Sequence, residues 1–140
     1  MKKLLLIIDP QYSFLDMGEL PVKGATDRMD SLSEYVKTNS SDYDTIVMTV
    51  DYHPINHCSF KCNGGIWPTH CVQHSVGAAI YDPLLKSVYN TNKKVFALTK
   101  GDISTVEEYS IMDNHNSSKE LLRIIERNDI EQIDVCGIMS

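Results

Sequence analysis

The stretch Thr45-Ile-Val-Met-Thr-Val-Asp-Tyr-His53 predicts a buried strand that ends in two polar side chains. Its first six residues are apolar or β-branched, a pattern typical of a fully buried β-strand. Asp51 and His53 follow where that strand ends, and residues two positions apart on extended backbone point to the same side. We therefore expect these two side chains to bind one metal ion together.

A loop rich in histidine, proline and glycine continues from this strand to Val72. Such a composition cannot be buried as regular structure, so we predict a long functional loop. His57 and His70 are the candidates for a third metal ligand. Carboxylate and imidazole ligands together suit zinc, iron or manganese better than calcium, which binds oxygen only. Three protein ligands leave coordination positions open, as in catalytic metal sites.

Two other interpretations of this loop compete with a catalytic metal site. The first is a structural zinc site built from Cys58 and Cys62 with His57, His70 or Cys71. We favour it less because structural zinc sites use pairs of thiolates, whereas here an Asp-x-His pair follows a strand end. The second is that the histidines are ordinary loop residues. That would explain any one of them alone, but not the whole set beside an aspartate.

Composition narrows the function further. The chain has 140 residues, enough for one domain with a hydrophobic core, which we place at residues 1–140. Its formal net charge of −6 argues against binding to nucleic acid or to an anionic membrane. No apolar run is long enough to cross a bilayer, and the apolar start of the chain lacks the cleavage site of a signal peptide. The four cysteines then indicate reduced thiols, and we expect a cytoplasmic protein that acts on small molecules.

Apolar strands alternate with helical patterns along the chain. We predict strands at 3–9, 45–50, 94–99 and 132–138, and helices at 26–38, capped by Thr26, at 77–90, interrupted or restarted at Pro83, and up to about residue 128, capped by Ser117 or Ser118. This alternation favours right-handed crossovers and a mostly parallel sheet with helices on both faces. Ligands of such sheets bind beyond the carboxyl ends of the strands. Four charged or ligating residues stand at those ends: Asp9, Asp51, His53 and Lys100.

Five segments, in chain order, resemble the motifs of the nicotinamidases, which belong to the isochorismatase-like cysteine hydrolase superfamily. They are Asp9-Pro-Gln-Tyr-Ser-Phe14, Asp51-Tyr-His-Pro54, Trp67-Pro-Thr-His-Cys-Val72 with Gly77-Ala78, Lys100-Gly101 with Tyr109-Ser110, and Val135-Cys-Gly-Ile-Met-Ser140. The resemblance extends from the first predicted strand to the last residue. It implies a Rossmann-like, three-layer α/β fold whose C-terminal part lies outside these 140 residues.

The activity implied by the resemblance is the hydrolysis of nicotinamide, or of pyrazinamide-like analogues, to the acid and ammonia through a cysteine thioester. Asp9 would take the proton of the thiol, and Lys100 would support the resulting charge. A divalent metal ion, zinc in the first place, would be held by Asp51, His53 and His70. That ion would bind the pyridine nitrogen of the substrate and withdraw electrons from the amide carbon.

The resemblance also implies how the substrate is surrounded. Phe14, Trp67 and Tyr109 would line the pocket of the pyridine ring, and the backbone amide of Met139 would join that of the cysteine in an oxyanion hole. His57 would lie near the metal, and we rank it below the other three ligands. The expected partner is a small amide, and a homo-oligomer is compatible with the sequence.

One departure from the family pattern concerns the nucleophile, which the resemblance places a few residues beyond Ser140. Cys136 is a poor substitute because it lies in the middle of an apolar strand, where a thiol is buried and inert. We therefore expect the chain to be the N-terminal portion of a longer enzyme. Alternatives are a related hydrolase for another substrate, a non-catalytic metal-binding or ligand-binding protein, and a zinc hydrolase in which metal-bound water attacks directly.

Overall fold

Four parallel strands form a sheet in the order β3-β2-β1-β4. The computed structural model describes residues 1–138. The strands are β1 (Lys3–Ile8), β2 (Thr45–Asp51), β3 (Lys94–Lys100) and β4 (Gln132–Gly137). All three pairings between neighbouring strands are parallel, as the alternation of strands and helices predicted.

Helices cover both faces of the sheet. They are α1 (Ala25–Asn39), α2 (Asp82–Tyr89) and α3 (His115–Arg127). Successive residues of β1 face opposite sides: Leu5 and Ile7 lie in the core that contains α1 and α2, whereas Leu4 and Leu6 lie in the core that contains α3. The three-layer α/β fold predicted from the sequence is therefore confirmed.

The strand register brings the predicted site residues to one edge of the sheet. Asp51, the last residue of β2, pairs with Lys100, the last residue of β3, and Ile8 pairs with Thr49. Asp9 follows directly on β1, and its amide donates to the carbonyl of Thr49 over 2.9 Å. The carboxyl ends of three adjacent strands thus present Asp9, Asp51 and Lys100 side by side.

The strand and helix ends differ from the sequence prediction in detail. α1 has Gly24 (φ 78°) as its N-cap rather than Thr26, and the amide of Thr26 donates to Asp16 instead. α3 is capped by Asn114, whose side chain accepts from the amide of Ser117, so neither Ser117 nor Ser118 is the cap.

The segment predicted as a helix at 77–90, interrupted or restarted at Pro83, is two elements, and the second of them begins at Asp82, next to Pro83. A 3-10 turn at Val76–Ala78 precedes α2, which carries Pro83 in its first turn. A proline in the first turn of a helix sacrifices no hydrogen bond, so Pro83 starts the helix without interrupting it.

β4 lies at one side of the sheet, and within residues 1–138 it pairs with β1 alone. Its Ile133 and Val135 are 38% and 59% exposed. They line an apolar groove of about 600 Å³ together with residues of β1 and α3. Over the same residues, no helix combines the length and the hydropathy that crossing a membrane would require.

Candidate active site

The loop after β2 returns to the end of that strand and so positions His70. The amide of His53 donates to the carbonyl of Cys71 over 2.9 Å, and the amide of Gln73 donates to the carbonyl of His53 over 2.8 Å. These two bonds form a short parallel bridge between the chain at His53 and the chain at Val72. His70 therefore lies beside His53 although 17 positions separate them in the sequence.

Asp51, His53 and His70 form a buried group whose ligand atoms all lie within 4.8 Å of one another. Oδ2 of Asp51 is 3.7 Å from Nε2 of His53 and 4.0 Å from Nε2 of His70. Bonds of about 2.0–2.2 Å to one ion would allow ligand atoms to be this far apart. Among residues 1–138 no cysteine belongs to such a group, which removes the support for a structural zinc site.

Both imidazoles present the same nitrogen to the centre of this group. Nδ1 of His53 lies 2.8 Å from the carbonyl of Gly101, and Nδ1 of His70 lies 2.7 Å from the carbonyl of Pro68. A carbonyl accepts only, so each Nδ1 carries the proton and each Nε2 keeps a free lone pair. Burial also lowers the pKa of His70, which favours its neutral form. The donor set therefore fits a divalent transition metal.

His57 is buried but differs from these two histidines. Its Nδ1 accepts from the amide of Ser59 over 3.2 Å, and its Nε2 donates to the carbonyl of Val106 over 3.0 Å. Burial and the neighbouring His53 lower the pKa of His57, so the ring is neutral. Its centroid lies 4.2 Å from that of His53. With both nitrogens engaged, His57 packs against a predicted ligand and offers no lone pair of its own.

Lys100 connects the two predicted parts of the site. Its buried ammonium donates to Oδ2 of Asp9 over 2.8 Å and also to Oδ1 of Asp51. Burial alone would lower the pKa of Lys100, but the two carboxylates raise it above its ordinary value. Lys100 therefore remains a cation between two anions.

Asp9 is held on both of its oxygens, because Thr49 Oγ1 donates to its Oδ1 over 2.8 Å. Burial raises the pKa of Asp9, and the charge of Asp51 adds to this effect against the opposing effect of Lys100. Asp9 has φ 48°, a left-handed conformation that aspartate tolerates better than most residues. A buried carboxylate of raised pKa, fixed in position, suits a group that accepts a proton from a thiol.

Gln11 is a structural support that was not among the residues predicted for the site, although it lies in the Asp9–Phe14 motif. Its side chain is fully buried and bonds the backbone of Asp51 in both directions. Oε1 accepts from the amide of Asp51 over 2.9 Å, and Nε2 donates to the carbonyl of Asp51 over 2.6 Å. Its position two residues after Asp9 in that motif was the signal in the sequence.

A cavity of about 290 Å³ opens over Asp51, His53 and His70. The three residues predicted to surround a substrate ring, Phe14, Trp67 and Tyr109, all line it, as do Asp51, His53 and His70. The indole N–H of Trp67 donates to Glu107 over 3.1 Å, which fixes the plane of that ring. The cavity is therefore aromatic and apolar at its wall, with the candidate metal ligands facing the same space.

The sulfur atoms of the described cysteines are not set up as nucleophiles. Burial raises the pKa of Cys71, and it raises the pKa of Cys136 to about 11. Within residues 1–138 no cysteine sulfur forms a hydrogen bond with Asp9 or Lys100. Met139, predicted to contribute an amide to the oxyanion hole, lies outside the described residues.

Comparisons with known proteins identify the family of this chain. No model of a protein family matches it. It is 28% identical over 157 residues to the nicotinamidase of Escherichia coli, covering 99% of this chain and 70% of that protein. Its structure matches the zinc-bound pyrazinamidase of Pyrococcus horikoshii with a TM-score of 0.78 and 27% identity, covering 99% of this chain and 71% of the other. It also matches PnC1 of L. infantum, solved with nicotinate, with a TM-score of 0.82 and 31% identity, covering 98% and 67% of the two chains. On these similarities and the five motifs, the chain belongs to the nicotinamidase family.

Proposed function

We propose that this chain is the metal-dependent part of an amidohydrolase that converts nicotinamide to nicotinate and ammonia, and that also accepts pyrazinamide-like amides. The observation that carries the proposal is that Asp51 bonds Lys100 through one oxygen and faces His53 and His70 with the other. A carboxylate in this position joins a metal site to a proton-transfer site. The names of the relatives and the nicotinate bound to one of them support this choice of substrate.

The cavity suits a single pyridine ring. Its volume of about 290 Å³ is at the small end of ligand pockets, and Phe14 and Trp67 supply aromatic wall. Asp51, His53 and His70 would hold the ion, with zinc favoured over iron or manganese. When bound, that ion would act as a Lewis acid toward the ring nitrogen. The protein's own contribution is to orient the ring so that its amide points toward Asp9 and Lys100.

Asp9 and Lys100 perform the thiol chemistry in this proposal. Asp9 accepts the thiol proton, the thiolate forms a C–S bond to the amide carbon, and the C–N bond breaks as ammonia leaves with that proton. Water then hydrolyses the thioester, which releases the carboxylate and restores the thiol. Lys100 offsets the negative charge throughout, because two carboxylates keep it protonated.

We assign the thiol to a cysteine that follows β4, beyond residue 140, with the amide of Met139 as one donor to the oxyanion. Two observations support this assignment. The cysteines at 71 and 136 have raised pKa values, and neither sulfur is hydrogen-bonded to Asp9, whose carboxylate bonds Thr49 and Lys100. The matched nicotinamidases and pyrazinamidases are longer than this chain, which covers 70–71% of them in the two cases above.

The test is ammonia release from nicotinamide by the protein translated from the complete reading frame. We expect activity that a chelator abolishes, that zinc restores and that a thiol-blocking reagent eliminates. Activity that survives chelation would remove the metal from the mechanism, and activity that survives thiol blocking would favour direct attack by water. Hydrolysis of other amides with none of nicotinamide would indicate a related hydrolase instead.

We also propose that the protein acts in the cytoplasm on a small, neutral amide. The four described cysteines, Cys58, Cys62, Cys71 and Cys136, are all free thiols, as a reducing compartment would keep them. The acidic net charge supports a small-molecule substrate over nucleic acid. Size-exclusion chromatography with light scattering tests whether the protein forms the homo-oligomer that its sequence allows.

A further inference from the structure

Glu108 is a buried carboxylate that the proposed reaction does not use. Its side chain is 7% exposed, although it belongs to a loop whose neighbouring residues are exposed. Oε1 of Glu108 accepts from the amide of Gly101 over 2.8 Å and from Nδ2 of Asn114 over 2.9 Å. Burying a carboxylate is costly unless hydrogen bonds replace its lost hydration, and the bonds from Gly101 and Asn114 do so here.

Gly101 lies between Glu108 and His53. Glu108 holds its amide, and His53 contacts its carbonyl. Its φ of +68° lies in the left-handed region that glycine adopts without strain. Its carbonyl lies 2.8 Å from Nδ1 of His53. A Cβ atom at this position would collide with the imidazole of His53. The backbone of Gly101 therefore lies directly against the imidazole ring and sets which nitrogen carries the proton.

Asn114 ties Glu108 to the body of the fold. Its Nδ2 also donates to Asp102 over 2.9 Å, and its Oδ1 accepts from the amide of Ser117 in the first turn of α3. A continuous set of hydrogen bonds thus leads from the start of α3 through Asn114, Glu108 and Gly101 to His53. Helix α3 is packed on the sheet through Leu121 and Ile124, so this set begins on a rigid element.

We propose that Glu108 is a positioning residue for His53 and acts through Gly101. By holding the amide of Gly101, Glu108 keeps the carbonyl of Gly101 aimed at Nδ1 of His53, which leaves Nε2 of His53 as the lone pair facing Asp51 and His70. Residues that orient metal-binding imidazoles in this way contribute strongly to metal affinity. The inference rests on the metal-binding part of the proposed function.

The first test is zinc titration of the purified chain with four variants. Glu108→Ala removes the acceptor, and we expect zinc affinity to fall about 10–100-fold. Glu108→Gln keeps an oxygen that can accept from Gly101, so it should retain most of the affinity. Glu108→Asp shortens the side chain and should give an intermediate loss. Glu126→Ala removes an exposed carboxylate on α3 and should bind zinc as the unaltered chain does.

The second test needs no metal. The two ring nitrogens of His53 are distinguished by ¹⁵N NMR, and we expect the Nδ1-protonated tautomer in the unaltered chain. Glu108→Ala should convert His53 to a mixture of tautomers. His70, held by Pro68, should keep its Nδ1 proton in every variant and serves as an internal reference.

The outcomes separate the two proposals. If the unaltered chain binds no zinc, the metal-dependent function fails, while the tautomer of His53 still reports on Glu108. If the chain binds zinc and folded Glu108→Ala binds it as tightly with an unchanged His53 tautomer, the role of Glu108 is wrong. Should Glu108→Ala not fold, an unaltered zinc affinity and tautomer in Glu108→Asp would equally overturn it.

Discussion

Lys100 donates a hydrogen bond to Oδ1 of Asp51, and these two residues end neighbouring strands in exact register. Because Oδ2 of the same carboxylate faces His53 and His70, the candidate metal group and the candidate proton-transfer group share one side chain. A change in the charge of Asp51 therefore alters the electrostatic environment of Asp9, because Lys100 bonds both carboxylates.

Replacing Asp51 by alanine should remove the carboxylate from the metal group. We expect zinc affinity to fall more than about 100-fold, beyond the loss caused by residues that only orient a ligand. Metal analysis after dialysis measures the zinc that the variant retains, and isothermal titration measures its zinc affinity. Asp27→Ala, which removes an exposed carboxylate of α1, is the matched control. One equivalent of zinc retained by Asp51→Ala would exclude this group as the site.

Replacing Lys100 by methionine should destabilise the fold strongly. The change leaves two buried carboxylates, Asp9 and Asp51, without the cation between them. Breaking a buried ion pair from one side costs about 3–5 kcal/mol in free energy of unfolding. Urea unfolding measures the loss. Adding Asp9→Asn to Lys100→Met should recover part of the stability, and a double variant as unstable as the sum of both changes would contradict the coupling.

His57 should affect stability more than zinc binding. His57→Asn keeps an acceptor for the amide of Ser59 but loses the donor to Val106, so we expect about 1–3 kcal/mol of destabilisation. Zinc affinity should fall by less than the roughly tenfold that marks a residue orienting a ligand. His70→Ala is the comparison and should lose zinc almost completely. Equal losses in the two variants would make His57 a ligand.

Asp16 should make stability depend on pH in the acid range. The pKa of this carboxyl lies below its ordinary value of 3.8 because its side chain accepts from the amides of Thr26 and Gly24 at the start of α1. A group whose pKa is lowered by folding stabilises the protein above its unfolded pKa and loses that effect as pH falls through the folded value.

We therefore expect the unaltered chain to be more stable than Asp16→Asn at neutral pH. The difference in urea midpoint should shrink as pH falls below 3.8. Because the two proteins differ only at residue 16, the difference isolates Asp16. A difference that is constant over this range would show that the charge of Asp16 does not contribute.

The sequence was sufficient to predict the layers of the fold and the edge of the sheet at which Asp9, Asp51 and Lys100 meet. Alternation of apolar runs with helical patterns determines a parallel sheet, and parallel strands end at a common edge. That geometry alone predicts that Asp9, Asp51 and Lys100 meet. The third metal ligand could not be predicted from the composition of the loop. The resemblance to nicotinamidases favoured His70 over His57.

Contacts that depend on backbone conformation could not be predicted. Asn114, not a serine, caps α3 because the preceding turn places its side chain over the amide of Ser117. Gln11 and Glu108 each bond backbone groups of residues at strand ends, and no periodicity in the sequence marks such pairs. The left-handed conformation of Gly101 places its carbonyl beside the imidazole of His53, and the sequence does not show that contact.

The outer position of β4 affects how the chain should be handled in solution. Over residues 1–138, β4 is paired on one side and has Ile133 and Val135 exposed. Such a strand is a template for intermolecular pairing and aggregation. At the concentrations that NMR requires, light scattering should rise with protein concentration, and Val135→Lys should suppress it by placing a charge on that strand. Spectra of this chain would then benefit from a substitution that leaves the candidate metal ligands Asp51, His53 and His70 unaltered.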